Sequence, residues 1–368
     1  MEEKLENKLN LSQIGVILYF IATGSLCGMN FRTYINIAKE DAWLAPIIGC
    51  IIGFLPYLIF IFIMNKYPNL NIFQIIEKLF GKALGKFLNL LLIIFVTSYM
   101  LIFFWNLTNF ISAHFLYNTP PLFVTIMFLI PIIYMLTKKI QVILKSGIII
   151  FFISFIFFII ANLAIIAQIK ISNIFPFLLN GIGPPLKASM SYVAYIVLPL
   201  FYATCIPKNA YTNKKNFTKY MIIYYFLIFI CIEIILFLTL NVLGIELTSL
   251  YQYPEFQILR RVTIGGFIER VESTLSAYWI LSTFMLVVFS CYFIKIGISH
   301  LFNIKNSNKF DKIIYLFFIL LICFSIMKSP NNTVVNHFMK TTYIMYIYIF
   351  IFGISLLTFI FSLRKKDK

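Results

Sequence analysis

The few side chains in this sequence that can bind or react stand inside long apolar runs. Glu233, in YYFLIFICIEIILFLTL, is the one acid deep in such a run. Burying an ionised carboxylate there costs roughly several kcal/mol, so the residue reads either as a proton or cation site facing the bundle or as a protonated carboxyl bonded to another helix. Lys145 and Lys295 fall toward the ends of their runs, where a lysine either snorkels to the headgroups or serves a ligand or a coupled ion. The stretch ATGSLCGMN (Ala22 to Asn30) gathers Gly24, Ser25 and Gly28. Such a run weakens a helix and turns backbone carbonyls and amides toward a cavity, or else lets two helices pack closely through small residues. KASMSYVAYIVLP (Lys187 to Pro199) similarly gathers Ser189, Ser191, Tyr192 and Tyr195 ahead of a proline. Paired interruptions in the first helix of each half of a chain point to a transporter-like bundle with its site at the midplane.

Catalytic constellations fail on inspection. Membrane acyltransferases often carry an Asp five positions after a His, but His114, His300 and His337 are followed there by Thr119, Lys305 and Thr342. GKALGK (Gly81 to Lys86) has three residues between its glycines, where a phosphate loop needs four, and no Ser or Thr follows the lysine. GIGPPL (Gly181 to Leu186) lacks the third glycine of a dinucleotide fingerprint and reads as a turn. The three histidines are scattered and give no metal site. The reading is therefore of a non-enzyme without metal or cofactor.

The elements that must position these groups follow from composition. The 368 residues are 61% hydrophobic, with 30 Lys or Arg and only 13 Asp or Glu. Globular chains run at about 45–50% apolar and about 25% charged, so the solvent for this surface must itself be apolar. A hydrocarbon slab takes about 20 helical residues per crossing. Apolar runs place ten spans at 13–31, 43–64, 87–116, 121–136, 143–167, 189–206, 219–243, 271–300, 311–327 and 341–363. The chain reads as one all-α membrane domain over 1–368, with five-helix halves at 13–167 and 189–363. The net charge of +17 sits in clusters between the runs, where anionic lipid rather than nucleic acid is the nearer partner. Lys and Arg number 20 on the side that holds both termini and 9 on the other, which orients both termini to the cytoplasm.

Leu70 to Phe87 reads as an interfacial helix on the cytoplasmic side. Two outer loops, 168–188 and 244–270, are what an external solute meets first. The six cysteines lie in or beside apolar runs and read as reduced packing residues. The N-terminal MEEKLENKLNLSQ mixes acids with bases, and no small-residue cleavage site follows the first run, so no removable signal peptide is expected.

SLCGMNFRTYINIAKEDAWLAPIIGCIIG followed by KYPNLNIFQIIEKLFGKALGK resembles the N-terminal half of spore germinant-receptor B subunits, the GerAB-type permease-like proteins. The likeness continues through ISNIFPFLLNGIGPPLKA and through GGFIERVESTLSAYWILSTFMLVVFSCYF (Gly265 to Phe293), so it spans essentially the whole chain. Its motifs are individually degenerate, and its force lies in their order and spacing. The resemblance implies an amino acid–polyamine–organocation fold of ten spans in two inverted five-helix repeats, sited in the spore inner membrane. It implies A-type and lipoprotein C-type partner subunits, and a small nutrient germinant, often an amino acid, whose binding is signalled to those partners. Carried over by residue, Gly24, Ser25 and Gly28 match the unwound part of the first span. Ser282 and Thr283 match a polar pair in the eighth that faces it, and Tyr192 and Tyr195 occupy the sixth-span stretch. Many relatives hold an acid in that stretch, where this chain has Val193, Ala194 and Tyr195. An ion-coupled amino-acid transporter of the same fold, using Ser282, Thr283 and the first-span carbonyls or protonation of Lys145, is the alternative.

Overall fold

A computed structural model of the chain describes residues 8–26, 30–260, 272–304, 307–328, 335, 338 and 342–364. Gly28 and the opening of the Gly265–Phe293 motif fall outside them. Among the described residues the protein is helical, with only an isolated bridge between Leu9 and Tyr211. Leu9 exchanges backbone hydrogen bonds with the loop before the seventh run, accepting from Thr212 at 2.7 Å and donating to Ala210 at 2.9 Å, which ties the two segments together.

In chain order the helices are α1 (Leu11–Leu26), α2 (Phe31–Ala38), α3 (Leu44–Lys66), α4 (Ile72–Phe80), α5 (Lys82–His114), α6 (Pro121–Leu136) and α7 (Ile140–Ile166). Then come α8 (Gly183–Ala203), α9 (Phe217–Leu250), α10 (Pro254–Leu259), α11 (Glu272–Leu301) and α12 (Asn308–Lys328). The last are α13 (Thr342–Ile347) and α14 (Ile354–Arg364), joined by the π-helical turn Tyr348–Gly353. Among the described residues, eight helical stretches are long and apolar enough to cross a membrane, and α1 and α6 are shorter apolar helices. The protein is thus an all-helical, multi-pass membrane protein.

Helices α1, α8 and α11 form the centre. In α1 every residue except Ser12 is buried, and α8 is buried without interruption from Ser191 to Ala203. A helix apolar on all sides has no solvent face and must be surrounded by other helices. Helices α5, α6, α7, α12 and α14 instead expose Ile94, Ile130, Phe152, Leu320 and Leu357, side chains suited to lipid tails. Two glycines permit close approaches at the centre. A Cβ on Gly49 of α3 would stand 2.6 Å from the Tyr192 ring, and one on Gly24 of α1 would stand 3.0 Å from the Ser282 carbonyl oxygen.

Two sequence expectations are corrected. The Leu70–Phe87 segment is not one interfacial helix. Asn71 and Gln74 form a capping box that starts α4, and Gly81, at φ 84°, ends it, so that Lys82 and Lys86 open the long α5. The sixth run is not interrupted at Ser189–Tyr195, because α8 is continuous through those residues and through Pro199. Pro199 brings no amide proton, so the carbonyl of Tyr195 loses its helical donor while the helix persists. A backbone acceptor is freed here without unwinding.

Candidate functional site

In the first run, Gly24 and Ser25 are helical rather than unwound, since α1 is described through Leu26, and a further helix, α2, starts at Phe31. Two side chains reach carbonyls in the last described turn of α1. Asn30 Nδ2 donates to the carbonyl of Ser25 at 3.0 Å, and Thr283 Oγ1 of α11 donates to that of Gly24 at 3.4 Å. The Ser25 hydroxyl donates back to Ile21 and Ala22 at 2.7 and 3.0 Å, and Ser282 likewise donates to Tyr278 of its own helix at 2.9 Å. Gly24, Ser25, Ser282 and Thr283 therefore share one buried seam between α1 and α11.

Helix α8 closes the other side. Tyr195, 1% exposed, lies against Asn30, and Tyr192 stands edge-on to Tyr34 of α2 with ring centres 6.4 Å apart. The Tyr192 hydroxyl is buried and has no hydrogen-bond partner among the described residues. Tyrosines that sequence reasoning passed over complete the wall. Tyr99 of α5 lies beside Ser25 and within 6.1 Å of Tyr202 and 6.3 Å of Tyr343, measured between ring centres. Ser290 of α11 donates to the Tyr202 hydroxyl at 3.3 Å, and the hydroxyls of Ser98 of α5 and Tyr343 are 3.4 Å apart. All four phenols, Tyr99, Tyr195, Tyr202 and Tyr343, are at most 2% exposed. The Gly24 and Ser25 carbonyls thus lie among buried side-chain hydroxyls. Asn30 was not among the sequence candidates although it ends the quoted first-span motif, and Tyr99 stands in an ordinary apolar run with no local signal.

Toward the segment that follows α9 the wall continues. The Tyr253 hydroxyl donates to Asn106 Oδ1 at 2.9 Å, and Tyr253, Phe110 and Trp279 form an aromatic group with ring centres 4.7–5.5 Å apart.

The three ionisable candidates lie elsewhere and apart from one another. Lys145 is exposed on α7. Lys295 is not merely snorkelling: its ammonium pairs with Asp311 of α12 at 2.8 Å and donates to Tyr315 at 3.3 Å. The pair borders a cavity of about 660 Å³ at the end of the bundle that carries Lys138 and Lys139. A polar contact between His300 Nε2 and Glu77 Oε2 at 3.1 Å ties α11 to α4 beside it. Glu233 borders an apolar groove between α3, α7 and α9. Among the described residues no group of three or more His, Cys, Asp or Glu side chains is placed to hold a metal, and five described cysteines are free.

With this geometry in hand, the comparisons with known proteins are specific. The family profile described as "Spore germination protein" matches residues 8–333. Among curated proteins of Bacillus subtilis (strain 168), the chain is 23% identical to spore germination protein KB over 82% of this chain and 81% of that one. It is 24% identical to spore germination protein YndE over 98% of both chains. Among solved structures, a mutant of the Eremococcus coleocola manganese transporter superposes with a TM-score of 0.61 at 12% identity, covering 95% of this chain and 78% of that one. The same transporter in complex with an aromatic bis-isothiourea substituted compound gives 0.59, again at 12% identity and with the same shares of the two chains covered. These structures share the fold.

Proposed function

The chain belongs to the spore germination protein family, and on that premise we propose that it is the membrane subunit of a spore nutrient receptor that binds a small germinant. The reading assigns the ligand to the central seam of α1, α8 and α11 beside Asn30. One observation carries it: Asn30 and Thr283 donate to the carbonyls of Ser25 and Gly24 beside a wall of buried tyrosines. An amino acid fits this chemistry, its ammonium on backbone carbonyls and its carboxylate on phenolic and amide donors. Among the sequence candidates, Gly24, Ser25, Tyr192, Tyr195, Ser282 and Thr283 border that place.

In this account the ten apolar runs cross the spore inner membrane as two inverted five-helix halves, with both termini on the cytoplasmic (core) side. The germinant favours one arrangement of the bundle over another, and the difference is read by A-type and lipoprotein C-type subunits. A ligand with equal affinity for both arrangements would signal nothing. The test is germination of spores carrying this chain as their sole receptor B subunit, exposed to single nutrients. Asn30→Leu and Thr283→Val are expected to raise the nutrient concentration needed by about tenfold or more without lowering the amount of protein in the membrane, as loss of one buried hydrogen bond to a binding site implies. Wild-type sensitivity in both variants would overturn the assignment. The alternative, ion-coupled amino-acid transport by the same fold, predicts concentrative uptake into proteoliposomes.

A further inference from the structure

The groove beside Glu233 has a composition unlike the central seam. It encloses about 690 Å³ between α3, α7 and α9, and is lined by Trp43, Phe158, Ile166 and Phe237 among other apolar groups. Its rim continues onto the lipid-facing surface, where Ile159 and Leu163 are 41% and 63% exposed. Two polar atoms of its lining residues, Oε2 of Glu233 and the indole Nε1 of Trp43, are buried and unpartnered among the described residues. Asn162, the other polar lining residue, donates its amide to Phe158 of its own helix at 2.7 Å.

A hydrocarbon chain alone would satisfy the walls and leave the carboxylate bare. An isolated carboxylate at this depth carries a large desolvation penalty that a bound cation relieves. The volume is that of a small-molecule site, in which a mostly apolar lining is oriented by a few polar groups. We propose that the groove binds a single-chain amphiphilic amine, its ammonium on the Glu233 carboxylate and its chain along α7 and α9. The amine enters laterally from the bilayer. The proposal stands whether or not the central seam binds a nutrient.

The test uses the full chain in phosphatidylcholine vesicles, with Trp105→Phe and Trp279→Phe leaving Trp43 as the sole indole. Its fluorescence is followed during titration with 10-bromodecylamine, 10-bromodecanol and 10-bromodecanoate, which differ only in headgroup. The amine is expected to quench saturably and at concentrations about tenfold lower, or more, than the other two, the margin of one charge-assisted contact. Glu233→Gln is expected to bring amine and alcohol within about threefold of each other, and retained quenching by the alcohol shows that the groove is intact. Equal quenching by all three probes in the unaltered groove would reduce it to a seat for lipid chains and overturn the proposal. So would an amine preference that survives Glu233→Gln. The three-probe comparison is decisive even where that variant does not fold.

Discussion

Asn30 donates its side-chain amide to the carbonyl of Ser25 at 3.0 Å, so the residue that opens α2 is tied to the last described turn of α1. Because Asn30 also touches Tyr195 of α8, the geometry of the junction is coupled to the helix packed beside it.

Replacing Asn30 by Leu is therefore expected to remove this bond from the buried Ser25 carbonyl, at a cost of about 1 kcal/mol. Hydrogen exchange of the purified protein checks this, with faster exchange expected at the amides of the last turn of α1 and little change in α3. Identical exchange in wild type and variant would contradict it.

Glycine spacing makes a second prediction. A Cβ on Gly24 or Gly49 meets neighbours at 3.0 and 2.6 Å, whereas at Gly183 nothing lies within 4 Å. Gly24→Val and Gly49→Ala are expected to lose about 1–3 kcal/mol through overpacking, and Gly183→Ala to stay near wild type. Thermal unfolding in detergent ranks the three.

Much of this was legible beforehand, and the failures have physical causes. The helix expected at 121–136 is α6 to the residue, because Pro121 starts it and its apolar run stops at Thr137. Glycines and small polar residues are poor helix formers, yet Gly24 and Ser25 stay helical in α1, and Gly28 lies outside the described residues. The sixth run carries a proline and serines too, yet its many buried tyrosine and aliphatic contacts keep it helical, and only the Tyr195 carbonyl registers Pro199. Composition along one helix cannot say how tightly other helices hold it. For the same reason Tyr99, Tyr202 and Tyr343 were invisible as a group, since their proximity arises from three helices far apart in sequence.

The Lys295–Asp311 pair is expected to behave as a coupled unit. Its side chains are 15% and 30% exposed, which places its contribution near that of a half-shielded surface pair, about 0.5–1.5 kcal/mol. A double-mutant cycle with Lys295→Met and Asp311→Asn measures it. Strict additivity of the two single losses would show that the contact contributes nothing.

Orientation can be read directly by thiol labelling in a background with the native cysteines replaced. With both termini cytoplasmic, Asn180→Cys is expected to react with a membrane-impermeant maleimide in intact cells. Lys215→Cys is expected to react only after permeabilisation. The reverse pattern would invert the proposed topology.

The central claim is most directly tested by equilibrium binding of radiolabelled amino acids to the purified chain in lipid nanodiscs. The account predicts that at least one binds saturably, and that Asn30→Leu and Thr283→Val each weaken it by about tenfold or more while Glu233→Gln leaves it within about twofold. An amino acid that binds equally well to wild type and to both seam variants would place the ligand elsewhere and contradict the account, as would the absence of saturable binding across the whole panel.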